Sequence, residues 1–161
     1  MIVPVRDGAE RLPAHLEALR AFTAAQPRGA ELILIDDASQ SPAARLLADF
    51  GHATAGVTVL RNDPNRGKGF SVARGMQSAH GSYRVFLDAD LAYPVDEITK
   101  IVRELETGSD VAIACRVLPE SRYLMSPSFF HYLYTRHLMS RVLTWRCASR
   151  SFPGSSTRRR D

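Results

Sequence analysis

Two aspartates one residue apart, Asp88 and Asp90, follow directly on the apolar run Tyr83-Arg84-Val85-Phe86-Leu87, and about twenty residues upstream stands Asn65-Arg66-Gly67-Lys68-Gly69. If the apolar run is a strand, both carboxylates lie near the carboxyl edge of a sheet, where open α/β folds bind ligands. Hard cations such as Mg²⁺ or Mn²⁺ take oxygen ligands, commonly one or two carboxylates together with the phosphates of a substrate. The pair therefore reads as a divalent-metal site facing a phosphate. Lys68 is a flexible point charge suited to a diphosphate, and the glycines beside it let backbone approach a ligand closely. Taken alone, each string is also compatible with an ordinary surface turn.

These residues need a scaffold, and the periodicity supplies one. Short apolar runs at about 2–5, 31–35, 57–60, 83–87 and 111–115 read as buried strands. Between them, Leu12, Leu16, Leu19 and Phe22 mark one helical face, with Pro13 suited to its first turn. Ser41-Pro42 opens a second helix. Phe70, Ala73 and Met76 line a third face, and Val95, Ile98, Ile101, Val102 and Leu105 a fourth. Strands alternating with helices predict an α/β domain with a mostly parallel sheet covered on both faces. The Gly-Lys-Gly string lacks the spacing of a Walker loop, and no Gly-x-Gly-x-x-Gly follows the first strand, so P-loop and dinucleotide readings lose support.

Four strings in order, Ile2-Val3-Pro4-Val5-Arg6-Asp7, Leu32-Ile33-Leu34-Ile35-Asp36-Asp37-Ala38-Ser39, Asn65-Arg66-Gly67-Lys68-Gly69 and Phe86-Leu87-Asp88-Ala89-Asp90-Leu91, resemble the family 2 glycosyltransferases. The resemblance covers about residues 1–145 and implies the Rossmann-like GT-A fold and inverting transfer. It places Pro4, Val5, Arg6 and Asp7 at the nucleotide base. It gives Asp36 and Asp37 to the base N–H and the ribose, a task suited to an acceptor-only carboxylate. Lys68 is implied at the diphosphate, Asp88 at the ribose or metal, and Asp90 on the metal, Mg²⁺ or Mn²⁺. Structural readings stay open beside these: Asp7 as a cap on the following helix, and Asp37-Ala38-Ser39 as a capped turn.

Arg116-Val117-Leu118-Pro119-Glu120-Ser121-Arg122-Tyr123 narrows the resemblance to the branch that loads hexoses onto polyprenyl phosphates, such as the dolichyl-phosphate glucosyl- and mannosyltransferases. A hydroxyl acceptor needs a positioned base, whereas a phosphate is largely ionised at neutral pH and needs cations instead. Arg116 and Arg122 meet that need, since guanidinium forks match phosphate oxygens in pairs. A surface pair between Arg116 and Glu120 is the structural alternative. The implied donor is UDP-glucose or GDP-mannose, and the implied acceptor a polyprenyl phosphate.

Charge is unevenly spread. The 161-residue chain carries a net +4; residues 1–115 hold 12 basic and 15 acidic side chains, while 116–161 hold 9 arginines against Glu120 and Asp161. A helix expected over Pro127 to Trp145 carries the stripe Phe130, Tyr134, Leu138, Val142 and Trp145 beside His131, Arg136 and Arg141. That stripe suits either core packing or contact with a membrane surface near a lipid substrate. No nucleic-acid partner is expected.

With only Cys115 and Cys147 and no Cys-x-x-Cys, neither a disulfide framework nor a zinc site is indicated. No apolar run approaches the roughly 18 residues of a membrane span, and no signal sequence opens the chain, so the expected location is cytoplasmic, peripheral on a membrane face. Residues 146–161 lose all periodicity and are expected to form a disordered Arg/Ser-rich tail. The fold is therefore expected to be incomplete at the C-terminus, as from a truncated or frameshifted reading frame. Two other classes compete: an inactive nucleotide-sugar-binding fragment with identical motifs, and a phospho-receiver domain imitated by Asp36-Asp37 and Asp88. Against the receiver, a whole strand-helix unit precedes the acid pair, and no Lys follows residue 100.

Overall fold

Three of the five expected strands form a parallel sheet: β1 (Ile2–Val5), β2 (Leu32–Asp37) and β3 (Val57–Asn62), with β2 in the middle. The computed structural model describes residues 1–114. Among these residues four helices accompany the sheet: α1 (Leu12–Ala24), α2 (Ser41–Ala53), α3 (Lys68–Ser78) and α4 (Glu97–Glu106). Every residue of β2 is buried, which is why its sequence is a continuous apolar run closed by two acids. On one face Val3, Val5, Leu32 and Leu34 pack with Leu12, Leu16 and Leu19 of α1 and with Ala43 and Leu47 of α2. On the other, Ile2, Ile33 and Ile35 pack with Ala79, Met76 and Leu60. The domain is thus α/β and Rossmann-like, covered on both faces as expected.

The stripe expected for α1 holds, and α2 opens at Ser41-Pro42 as expected, with a proline in the first turn of each helix. In α4, Ile98 is buried and Ile101, Val102 and Leu105 are half-buried. The face of α3 differs from the expected one. Phe70 and Ala73 point outward, and the helix seats itself through Ser71 and Gly75. A Cβ on Gly75 would lie 2.3 Å from Ile2 Cγ2 and 2.7 Å from Ile35 Cδ1, so only glycine lets α3 come this close to the sheet.

The expected strand at 83–87 is reduced to a single parallel bridge between Ile2 and Phe86. Ile2 N–H donates to Val85 O at 2.8 Å and Leu87 N–H to Ile2 O at 3.1 Å. These bonds set Val85–Leu87 against β1 on the side away from β2. From β1 the chain winds outward through β2 and β3, then returns to the opposite flank of β1. The carboxyl ends of β1 and Val85–Leu87 therefore flank a topological switch point, where open α/β sheets bind ligands. The expected strand at 111–115 does not form over its described part: residues 111–114 pair with nothing in the sheet, and Ile113 is 82% exposed. An apolar run records a capacity for burial, but a ladder needs a neighbouring strand. Among the described residues no helix is long and apolar enough to cross a membrane. The expected boundary at 145, the helix over 127–145 and the tail lie outside the described residues.

Candidate functional site

The four loops that leave the carboxyl edge are bonded to one another in sequence order. Asp7 joins the first to the second: its N–H donates to Ser39 Oγ at 2.9 Å, and its Oδ1 accepts Gln40 N–H at 2.8 Å. Gln40 is the residue that caps α2. Asp7 therefore caps the second helix from a distance, whereas α1, the next helix in the chain, starts five residues later with no side-chain cap. Its φ of +57° is a left-handed conformation that aspartate tolerates better than most residues. A hollow of about 300 Å³ opens here, lined by Asp7, Gly8, Ala9, Gln40, Pro42 and Ala43. Arg6 is exposed beside it, whereas Val5 is buried in the core, so its side chain is not available to a ligand.

The acid pair closing β2 divides between the two faces of the sheet, because strand side chains alternate. Asp36 is aligned with Arg61 of β3 and forms an ion pair with it, while its Oδ1 accepts Ser39 N–H at 2.8 Å. Asp37 is aligned with Asn62 and accepts its Nδ2–H at 2.8 Å. It also accepts Asn65 Nδ2–H at 2.6 Å, Arg66 N–H at 2.9 Å and Gly67 N–H at 2.8 Å. Asn62 Nδ2–H reaches Ser71 Oγ of α3 as well, at 2.9 Å. Burial alone would raise the Asp37 pKa, but the Arg66 N–H, the Asn62 amide, the Gly67 N–H and Ser71 together hold it below the ordinary carboxylate value. Asp37 is the organiser of the Asn65–Gly67 loop and of the start of α3.

That loop presents Lys68. Gly67 has φ +84°, a conformation natural to glycine, and turns the chain into α3. The first amide bonded back into the helix is Ser71 N–H, to Gly67 O at 3.1 Å, which leaves the amides of Lys68, Gly69 and Phe70 at its open end. A Cβ on Gly69 would meet nothing within 4 Å. An oriented helix end with open backbone and a lysine suits an anion. Lys68 Nζ forms an ion pair with Asp88 Oδ1, both side chains being about half exposed. Phe86 lies under the same ammonium, with its ring centre 6.0 Å away.

Beyond Leu87 the chain alternates: Leu87, Ala89 and Leu91 turn toward the α1 side of the core, while Asp88 and Asp90 are exposed. A tight turn, Leu91 N–H to Asp88 O at 3.1 Å, with Leu91 at φ +45°, ends the segment. Asp90 Oδ1 accepts Ala92 N–H at 3.1 Å. His15 of α1 donates from Nδ1 to Ala89 O at 2.7 Å. Asp88 and Asp90 form an all-oxygen donor pair of the kind Mg²⁺ and Mn²⁺ take, with the rest of the shell left to phosphate and water. Among the described residues no cluster of three or more His, Cys, Asp or Glu side chains is placed to hold an ion. The donor set therefore fits a metal that arrives with a phosphate ligand, not a protein-caged one.

Of the candidate residues, Asp7, Asp36, Asp37, Lys68, Asp88 and Asp90 all lie on one edge, and Pro4 and Val5 lie in β1 beneath it. Arg116 and Arg122 lie outside the described residues. Sequence reasoning passed over His15, Arg61, Asn62 and Ser71, and it named Ser39 and Asn65 only as members of motif strings. A signal was present for two of these, because Arg61 and Asn62 close β3 as Asp36 and Asp37 close β2.

The chain matches the family model for Glycosyl transferase family 2 over residues 1–160. It is 34% identical over 113 residues to an undecaprenyl-phosphate 4-deoxy-4-formamido-L-arabinose transferase of Klebsiella pneumoniae, covering 69% of this chain and 34% of that protein. The corresponding transferase of Pseudomonas fluorescens is 35% identical over 121 residues, 72% of this chain and 34% of its own length. A dolichyl-phosphate beta-glucosyltransferase of Drosophila melanogaster is 30% identical over 164 residues, 94% of this chain and 50% of its own length. The chain thus spans between about a third and a half of these relatives. An acidic pair at the switch point, a glycine-framed lysine beside it and a family match along almost the whole sequence agree, and the chain belongs to glycosyl transferase family 2.

Proposed function

We propose that this chain forms the donor side of an inverting glycosyltransferase that moves a hexose, glucose or mannose, from a nucleoside diphosphate sugar to a polyprenyl phosphate. The observation that carries this reading is the Lys68–Asp88 pair at the open end of α3, next to Asp90. The names of the relatives, each a polyprenyl- or dolichyl-phosphate sugar transferase, support the acceptor class. UDP-glucose is the preferred donor and GDP-mannose the second.

In this proposal the diphosphate lies across the amides of Lys68, Gly69 and Phe70, with the Lys68 ammonium turned from Asp88 onto a phosphate oxygen. The base occupies the hollow between Asp7 and Pro42. Asp88 and Asp90 would hold Mg²⁺ or Mn²⁺, which when bound neutralises charge on the diphosphate. An acceptor phosphate oxygen attacks the anomeric carbon from the face opposite the diphosphate; the bond from that carbon to the diphosphate oxygen breaks and the nucleoside diphosphate leaves. The attacking oxygen is already ionised, so no protein base is required, and Arg116 and Arg122 are assigned to holding the acceptor. A lipid acceptor calls for contact with a membrane surface, the cytoplasmic face in this proposal.

The test is isothermal titration of the 161-residue chain with UDP and with GDP, each with and without Mn²⁺, repeated on Asp90→Ala. Metal-dependent binding of one nucleotide, lost in the variant while the fold persists, is the expected result. Binding of neither by a folded sample would overturn the donor site. A second reading, nucleotide-sugar binding without turnover, shares every donor-site residue with the first. Transfer of labelled sugar to a polyprenyl phosphate separates the two.

A further inference from the structure

We propose that His15 is a positioning residue for the acidic loop, setting the spacing and direction of Asp88 and Asp90; the inference rests on the donor-site reading above for its consequence, though not for its geometry. His15 belongs to the core-facing stripe of α1, between Leu12 and the Leu16 and Leu19 pair, where an apolar residue would be the ordinary choice. Its ring is half-buried and, among the described residues, has one hydrogen-bond partner, the carbonyl of Ala89 at 2.7 Å, across 74 residues of sequence. A carbonyl only accepts, so the proton sits on Nδ1.

The location of that carbonyl gives the bond its meaning. Ala89 is the residue between the two aspartates, and its carbonyl and side chain face α1 while the carboxylates face outward. Among the described residues the other hydrogen bonds and ion pairs of this loop are Leu87 N–H on Ile2 O, the turn from Leu91 N–H to Asp88 O, Ala92 N–H on Asp90 Oδ1, and the Lys68–Asp88 pair, which the proposed diphosphate would dissolve; Leu87, Ala89 and Leu91 add packing on the α1 side of the core. Leu91 at φ +45° marks backbone held in a conformation that a leucine seldom adopts. His15 is the bond that ties the middle of the loop to a rigid helix. Outer partners that orient ligands without touching the ion commonly change metal affinity by about ten- to a hundredfold.

The test compares the full chain with His15→Leu and His15→Asn, the latter keeping an N–H donor near the place of Nδ1. Two readouts are taken: amide hydrogen exchange through 88–92, and titration with Mn²⁺ plus UDP or GDP. In His15→Leu, exchange in the loop is expected to quicken by about tenfold, with the helices and sheet unchanged, and metal-nucleotide affinity to fall by about tenfold or more. His15→Asn is expected to restore both. Unaltered loop exchange in His15→Leu, or an Asn variant no better than Leu, would overturn the proposal. If the parent binds neither nucleotide, the donor-site reading fails, and loop exchange with the Asn rescue still decides the role of His15.

Discussion

Asp36 and Asp37 are adjacent in sequence, yet they serve opposite faces of the sheet. Asp36 pairs with Arg61 on the side of α1 and α2, and Asp37 gathers Asn62, Asn65, Arg66 and Gly67 on the side of α3. The period of a strand dictates this division, and each acid meets the β3 residue aligned with it. An acidic pair that reads as a ligand-binding motif is thus also the brace of two loops. Arg6, Lys68, Asp88 and Asp90 present exposed side chains at the edge.

Replacing Asp37 should cost more stability than replacing Asp36. Asp37→Ala strands two backbone N–H groups and two side-chain amides in a partly buried setting, a loss of about 3 kcal/mol or more. Asp36→Asn keeps an acceptor for Ser39 N–H and gives up an ion pair whose arginine is 45% exposed, costing about 1 kcal/mol. Urea unfolding of the two variants checks the order. Equal losses would mean that the four-donor cradle around Asp37 is not formed.

Acid should weaken this fold through two identifiable carboxylates. The Asp37 pKa lies below its ordinary value, for the reasons given above. Glu31 behaves alike: burial would raise it, but the N–H groups of Gly81 and His80, at 2.9 and 2.6 Å, and the His80 ring lower it. A carboxylate with a depressed folded pKa binds fewer protons folded than unfolded. Its stabilisation is complete above the unfolded pKa, about 4, and disappears as pH falls through the folded value. Stability measured from pH 6 to pH 2 should therefore decline below about pH 4, and Asp37→Asn with Glu31→Gln should flatten that decline. An unchanged slope in the double variant would assign the acid sensitivity elsewhere.

Legibility followed the kind of signal each residue carries. The stripe of α1 and the runs of β1 and β2 were readable because apolar spacing reports burial directly, whereas the run of β3 forms its strand with Val57, Val59 and Leu60 only half-buried. The strands expected at 83–87 and, over its described part, at 111–115 were over-read, since among the described residues Phe86 finds one bridge and Ile113 no strand partner, and the run alone says nothing of a partner. The face of α3 was misread because Ser71 and Gly75 are seated by closeness, which hydrophobicity does not encode. Asp7, Lys68, Asp88 and Asp90 stood out as charges beside glycines or strand ends. His15, Asn62 and Ser71 did not, because each owes its role to a partner brought near only by the fold.

Two glycines of α3 should respond to alanine in opposite directions. At Gly75 the new methyl would lie 2.3 Å from Ile2 and 2.7 Å from Ile35, overpacking that costs about 1–3 kcal/mol and exceeds the gain in helix propensity. At Gly69 a methyl meets nothing within 4 Å, and the unfolded chain loses freedom, a gain of up to about 1 kcal/mol. Thermal melts of the two variants should move to either side of the parent. Stabilisation by Gly75→Ala would contradict the close seat of α3 on the sheet.

Lys68→Met separates the structural part of the Lys68–Asp88 pair from its proposed binding role. Both side chains are about half exposed, so the pair contributes about 1 kcal/mol or less to folding, and the melting temperature should move little. On the proposed reading the same change removes the cation from the diphosphate and leaves Asp88 without a counter-charge beside Asp90. Affinity for UDP or GDP with Mn²⁺ should then fall by about tenfold or more, corresponding to one charge-assisted contact. Raising the salt concentration should narrow the gap between parent and variant, because the lost interaction is exposed and screened. A variant that melts like the parent and binds the nucleotide as tightly would remove Lys68 from the diphosphate site and leave the open end of α3 to act alone.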